Sequence, residues 1–185
     1  YILKDLHGYV LPHADTKYTG SIISHTLRFK PSKKFTTIII IYYPYSDKPN
    51  VYNKYYHEYY VPFKCLEYVV KKQWKIKRKI TYTGINIKEN QSYSSIDNNT
   101  LIVVSADFSH FLPFEEAIEL ENKAAHSIMF RNLNITNYNS IIDDSKSFKL
   151  LYNIIPNDWI LQWIGRTRSS GLKGVGYLSF LIRDK

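Results

Sequence analysis

The feature that most constrains the fold is an uninterrupted apolar run at residues 101–104, with the sequence LIVV. Such a β-branched run between polar residues is typical of a strand buried on both faces of a sheet. It leads into a loop, residues 105–110 (SADFSH), that precedes a helix near Pro113. Ligand sites of open α/β sheets lie at the carboxyl ends of strands. The sequence therefore predicts a buried central strand and a candidate site, although Asp107 and Ser109 are also typical helix-capping residues.

Strand and helix patterns alternate along the rest of the chain. The predicted strands are residues 9–11, 35–43 and 76–82, and the predicted helices are residues 21–28, 62–74 and 114–129. A polar, Asn-rich stretch follows at residues 132–139 and leads into one or two short helices through Ile155. A strand pair at residues 159–166 and 174–182 ends the predicted order. This order predicts a single α/β domain, residues 1–185, with a mainly parallel central sheet, helices on both faces and a C-terminal strand pair. The run at 101–104 is predicted to lie between the strands that contain Leu11 and residues 38–41.

Composition excludes several classes of protein. Hydrophobic residues at 44% and aromatic residues at 16% indicate a folded chain. No apolar run of about 18 residues occurs, so no membrane insertion is expected. The single cysteine, Cys65, excludes an intrachain disulfide and favours an intracellular reducing compartment without specifying an organelle. Its apolar neighbours recur at helical spacing, which indicates burial rather than reactivity.

A second stretch, residues 9–20 (YVLPHADTKYTG), places His13 just after a short strand. The predicted strands at residues 9–11 and 101–104 are each followed by a loop that contains a histidine. These loops can bring His13 and His110 to one edge of a sheet. Together the two stretches resemble the Memo family (AmmeMemoRadiSam system protein B), whose chains carry PHAGYxYxG early and SSDFSH later. The matching residues are Pro12, His13, Ala14, Tyr18, Gly20, Ser105, Asp107, Phe108, Ser109 and His110. Asp15, Thr16 and Ala106 depart from the family pattern, and weaker similarities lie at residues 35–44, 58–63 and 169–180.

The resemblance implies a fold related to class III extradiol dioxygenases, which bind non-haem iron at the carboxyl edge of the sheet. It implies that His13 is a metal ligand and that His110, with Asp107 beside it, has the acid–base role. The other family ligands are not matched: the second histidine aligns near Ser46, and the late ligand, commonly cysteine, falls in residues 153–159, which lack Cys, His and Glu.

One imidazole is too few donors for iron, copper or zinc, which need about three or four protein ligands. We therefore expect a degenerate site without a cofactor, in which Asp107 and His110 are vestigial. Iron or copper is expected only if carboxylates such as Asp47 or Asp158 replace the missing ligands. The remaining histidines are expected to be surface or half-buried polar residues, and His57 is the least dismissible of them because it lies beside Glu58, in the segment that resembles the family.

Charge predicts a different kind of site. The net charge is +9, and Lys and Arg are concentrated in residues 71–79 (KKQWKIKRK). A basic segment with an aromatic residue can bind phosphates and stack bases. The predicted nucleic-acid-binding residues are Lys71, Lys72, Trp74, Lys75, Lys77, Arg78 and Lys79. The alternative is a solvated helix end and edge strand whose lysines prevent aggregation. Arg166, Arg168 and Lys173 form a weaker basic group, and the acidic residues near Glu115 are attributed to the helix dipole.

Two functional hypotheses follow. The first is a non-enzymatic interaction or structural subunit with protein partners and an anionic partner such as RNA. The second is a metal-dependent oxidoreductase, using non-haem iron or copper, with a rebuilt site around His13 and His110. The hypotheses separate on whether three or more donor atoms converge near His13.

Overall fold

The computed structural model describes residues 1–89, 93, 96–132 and 141–185. Its strands are β1 (Ile2–Leu3), β2 (Leu6–Leu11), β3 (Lys30–Pro31), β4 (Thr37–Tyr42), β5 (Thr81–Asn86), β6 (Thr100–Ser105), β7 (Ile160–Arg168) and β8 (Gly176–Arg183). Its helices are α1 (Thr16–Leu27), α2 (His57–Tyr68), α3 (Phe114–Met129) and α4 (Ser145–Ile154), and a π-helical turn, Val69–Gln73, continues α2. Within these residues, no helix combines the length and the apolar character that crossing a membrane requires.

Six strands form one mixed sheet in the order β5-β4-β6-β2-β8-β7. The first four are parallel to one another, whereas β8 pairs antiparallel with both β2 and β7. The predicted α/β class and C-terminal strand pair are confirmed. Only four of the six strands, β5, β4, β6 and β2, pair in parallel, because the C-terminal pair joins the same sheet through antiparallel pairings.

The predicted central strand is confirmed in β6, which lies between β4 and β2. All six of its residues are buried. Leu101 and Val103 pack with residues of α1 and α2, whereas Ile102 and Val104 pack with residues of α3 and α4. Helices therefore cover both faces of the sheet, which is why the run needs apolar residues at consecutive positions.

Several element boundaries differ from the sequence prediction. Helix α1 begins at Thr16 rather than near residue 21, because Asp15 Oδ1 accepts a hydrogen bond from Lys17 N at 3.0 Å and caps it. Helix α2 begins at His57, so Pro62 lies inside it and not at its start. The strand predicted at residues 76–82 is wrong for residues 76–80, since β5 begins at Thr81. Residues 133–139 of the Asn-rich stretch lie outside the described residues.

Candidate metal centre

His13 and Asp107 occupy equivalent positions at the carboxyl ends of two parallel strands. His13 is the second residue after β2, and Asp107 is the second residue after β6. The backbone N–H of His13 donates to Asp107 Oδ1 at 2.8 Å, and His13 Nε2 lies 3.6 Å from Asp107 Oδ2. Both side chains are buried. Asp107 thus holds His13 and does not cap α3, and Ser109 donates its hydroxyl hydrogen to Glu121.

A second carboxylate, Asp143, comes from the loop before α4. Its Oδ2 lies 3.2 Å from His13 Nε2, and its Oδ1 accepts from Asp107 N at 2.9 Å. The next residue, Asp144, anchors this loop to the end of β4, because its Oδ2 accepts from Tyr43 N at 3.2 Å. Ligand atoms of His13, Asp107 and Asp143 all lie within 4.8 Å of one another.

Asp143 is not among the metal ligands expected from the sequence. The family resemblance aligns the late ligand with residues 153–159, and Asp47 and Asp158 are the expected replacements. None of these residues belongs to a group of possible metal ligands in the described part of the chain. The available signal was the pair of adjacent aspartates directly before an amphipathic helix.

The start of α2 brings two more donors to His13. Ligand atoms of His13, His57 and Glu58 form a second group within 4.8 Å, and the rings of the two histidines are 5.4 Å apart. Glu58 is completely buried. Its Oε1 accepts from Tyr45 N at 3.1 Å, and its Oε2, 3.3 Å from His57 Nδ1, has no hydrogen-bond partner among the described residues. A buried carboxylate oxygen without a partner is unusual and costly.

A proline helps to determine which ring nitrogen of His13 carries a hydrogen. Pro62 lacks the N–H that would bond to the carbonyl oxygen of Glu58 four residues earlier. That carbonyl instead accepts the hydroxyl hydrogen of Ser105, at 2.5 Å. Ser105 Oγ lies 2.9 Å from His13 Nδ1 and, with its only hydrogen donated, can act there only as an acceptor. Nδ1 therefore carries a hydrogen, and Nε2 is the nitrogen available to a proton or a metal ion.

The electrostatics of the site favour a positive charge at His13 Nε2. Burial alone would lower the pKa of His13, but the carboxylates of Asp107, Asp143 and Glu58 outweigh it and raise the pKa to about 10. Burial raises the pKa of Asp143, although His13 opposes this effect. Burial and the charge of Asp143 raise the pKa of Asp144. A lone pair on Nε2 beside two carboxylates is stable only with a cation between them, either a proton or a metal ion.

His110 lies near this cluster but does not join it directly. It is half-buried and forms an isolated bridge with Val175. Its charge lowers the pKa of Asp143, which indicates proximity. No hydrogen bond or ion pair between His110 and His13, Asp107 or Asp143 is found in the described parts of the chain. Of the three residues implied by the motif resemblance, the structure brings His13 and Asp107 into contact.

The basic residues separate into two kinds. Lys71, Lys72, Lys75, Lys77, Arg78 and Lys79 are exposed. Trp74 is buried, and its indole N–H donates to Leu27 O at 3.1 Å. The prediction that Trp74 stacks on a base is therefore wrong, because its ring is buried inside the protein. Arg166 and Arg168 lie within 4 Å of the buried Glu121, so this weaker basic group contributes to an internal ion-pair network.

Comparison with known proteins adds no assignment. No protein-family model matches the chain, and no curated protein matches it.

Proposed function

We propose that the chain binds a divalent transition-metal ion at His13 and acts as a metal-dependent oxidoreductase. The observation that carries the proposal is the fixed orientation of His13, whose Nε2 lies 3.2 Å from Asp143 and 3.6 Å from Asp107. A degenerate site was expected because the family's second histidine and late ligand have no match in the sequence. Asp143, His57 and Glu58 supply donors from other positions.

Two groups of donors share His13, and one of them suits iron best among the common metals. His13, His57 and Glu58 offer two imidazole nitrogens and one carboxylate oxygen, whereas His13, Asp107 and Asp143 offer one imidazole nitrogen and two carboxylate oxygens. Two histidines with one carboxylate are the usual ligands of non-haem iron(II), whereas structural zinc sites favour cysteine. Glu58 Oε2 lies 3.3 Å from His57 Nδ1 and accepts no hydrogen bond from the described residues, so a bound cation would compensate its buried charge.

The surrounding residues have distinct roles in this proposal. Ser105 holds Nδ1 of His13, which leaves Nε2 as the ligand nitrogen. A bound iron(II) would supply a Lewis acid and one-electron redox chemistry at open coordination positions. A cavity of about 180 Å³ beside Asp143, lined also by Tyr43, Tyr45 and Lys146, offers space for a small substrate. His110, close enough to influence Asp143, is the candidate for proton transfer.

Elemental analysis of protein purified without chelator tests the proposal. We expect about one iron or copper ion per chain, lost in both His13→Ala and Asp143→Asn. His126→Ala is the matched control, because His126 is exposed on α3 and belongs to neither ligand group. The proposal fails if the wild-type protein holds no stoichiometric metal after exposure to iron(II), or if the control loses metal as readily as His13→Ala.

The hypothesis of a non-enzymatic subunit is the alternative if no metal binds, because the His13 cluster is then a buried ion pair. Its second part, contact with RNA, depends on residues 71–79. That surface lies at the other end of α2, so RNA contact and metal binding do not compete.

A further inference from the structure

The backbone after α2 turns sharply and gathers its lysines around one surface. The π-helical turn Val69–Gln73 is followed by Lys75, whose φ of 54° lies in the left-handed region. Ile76 N donates to Val70 O at 3.0 Å, which closes the turn. A left-handed conformation at a residue other than glycine costs roughly 1 kcal/mol and requires support from its surroundings. Residues 76–80 therefore return beside α2 instead of extending β5.

This turn encloses a cleft of about 580 Å³. Its apolar lining comes from Val70, Ile76, Ile80 and the half-buried ring of Tyr82, and its cations are Lys71, Lys75, Lys77 and Arg78. Arg78 is held in place, since its Nε donates to Phe35 O at 2.8 Å and its guanidinium lies 5.2 Å from the centre of the Phe35 ring. A fixed guanidinium keeps its remaining N–H donors for an anion.

A second cleft, of about 500 Å³, adjoins the first along α2. It shares Glu67 and Lys71 with the first cleft and adds Lys64, Tyr68 and Lys72. We call the two together the basic double cleft. Of the residues that the structure describes, six Lys or Arg side chains line it, against one carboxylate, Glu67. Glu67 is already neutralised, because its Oε1 accepts from Lys64 Nζ at 2.7 Å.

The cations of the basic double cleft are available to a ligand. Within the described part of the chain, the side-chain amines of Lys71, Lys72, Lys75 and Lys77 form no hydrogen bond or ion pair, and all four residues are exposed. Uncompensated lysines grouped this closely repel one another, and a polyanion relieves that repulsion. Tyr68, with 60% of its surface exposed, adds an aromatic ring between the lysines.

We infer that the basic double cleft binds single-stranded nucleic acid. The lysines and Arg78 bind successive phosphates, and Tyr68, in place of the buried Trp74, is the ring on which a base stacks. Single strands fit this surface better than duplexes, because the apolar lining and the exposed ring can contact only unpaired bases. The inference is independent of metal binding, since α2 and its π-helical continuation separate His57 from Gln73 by about 24 Å, at 1.5 Å per residue.

Fluorescence anisotropy with a labelled 15-nucleotide oligo(U) tests the inference. The affinity should fall steeply as the salt concentration rises. A triple variant, Lys71→Gln, Lys75→Gln and Lys77→Gln, should lower the slope of log K against log salt by about 2, because each phosphate contact contributes about 0.7. Tyr68→Ala should weaken binding about tenfold, because a base loses the aromatic ring on which it stacks, and Tyr68→Phe should retain the affinity.

Matched variants keep this test specific. The control for charge is a second triple variant, Lys48→Gln, Lys149→Gln and Lys173→Gln, which removes the same charge from exposed positions outside the cleft and should leave the slope almost unchanged. The control for the aromatic ring is Tyr52→Ala, which should leave the affinity unchanged. An equal effect of the two lysine triples would overturn the inference, because binding would then follow net charge. Preference for a duplex of equal length, or tighter binding of phosphatidylserine vesicles than of oligo(U), would also overturn it.

Discussion

Ser105 has one hydroxyl hydrogen and two neighbours that could take it. The carbonyl oxygen of Glu58, at 2.5 Å, accepts this hydrogen because Pro62 offers that carbonyl no N–H. His13 Nδ1 must then donate to Ser105, at 2.9 Å. A single hydroxyl thereby selects the tautomer of a buried imidazole and directs Nε2 toward Asp107 and Asp143.

Replacing Ser105 with Ala should weaken metal binding without abolishing it. The ligands stay, but His13 loses the partner that orients it, and such partners typically contribute about 10- to 100-fold in affinity. Isothermal titration with Co(II) or Zn(II) measures the change. Ser179→Ala is the control, because Ser179 is also buried and bonded, to Thr26 at 2.6 Å, away from the site. An unchanged affinity in Ser105→Ala would contradict the role of this hydroxyl.

The pKa of His13 predicts how the metal-free protein responds to pH. Its folded pKa, about 10, exceeds the ordinary value of 6.5, so between these values the folded chain binds a proton that the unfolded chain has lost. Stability from this group is complete below pH 6.5 and is lost as pH rises toward 10, at up to about 1.4 kcal/mol per pH unit. Urea unfolding in the presence of a chelator measures it. Because other groups titrate in the same range, the comparison is with His13→Gln, and parallel pH profiles for both proteins would contradict the prediction.

At the scale of elements, the site depends on strand ends that packing holds in register. Strands β2 and β6 are aligned from the pair Gly8 and Ile102 to the pair Leu11 and Ser105, which brings the loops after them to one edge. Gly8 allows the strands this close approach, because a Cβ there would lie 2.0 Å from the carbonyl oxygen of Ile102. The pairing of β2 with β6 therefore requires glycine at residue 8, and the position of His13 beside Asp107 depends on that pairing.

Alanine at two glycines should have opposite effects on stability. Gly8→Ala forces β2 and β6 apart and should lower the free energy of unfolding by about 1–3 kcal/mol or more. Gly20→Ala should raise it by about 0.5–1 kcal/mol, because Gly20 lies within α1 and a Cβ there meets nothing within 4 Å. Urea denaturation of both variants is the measurement. Stabilisation by Gly8→Ala would show that the two strands are not held this closely.

For the molecule as a whole, the sequence predicts those parts of the fold and of the candidate site that depend on local patterns. A β-branched run can be buried on both sides only in a central strand, and parallel strands must end at one edge, so β6, His13 and Asp107 were predictable. Asp143, His57 and Glu58 were not identified as a ligand set, because a loop and a helix start reach the site only through tertiary packing.

Three local signals gave wrong predictions for physical reasons. Pro62 suggested a helix start, since proline is favoured in the first turn. It lies instead five residues after His57, where α2 accommodates it because the Glu58 carbonyl accepts a hydrogen bond from Ser105. Alternating apolar and basic residues at 76–80 suggested a strand, but Ile76 and Ile80 line the basic double cleft. Trp74 packs inward against Leu27, a contact 47 residues apart that sequence periodicity does not encode.

Anomalous X-ray diffraction from crystals grown with iron(II) or Co(II) shows whether a metal ion binds at His13. We predict one strong peak at about 2.0–2.3 Å from His13 Nε2, with an oxygen of Asp143 at a similar distance, and its loss in Asp143→Asn. A well-diffracting crystal with no peak at His13, or with its only peak outside the residues that surround His13, would rule out metal binding at this site.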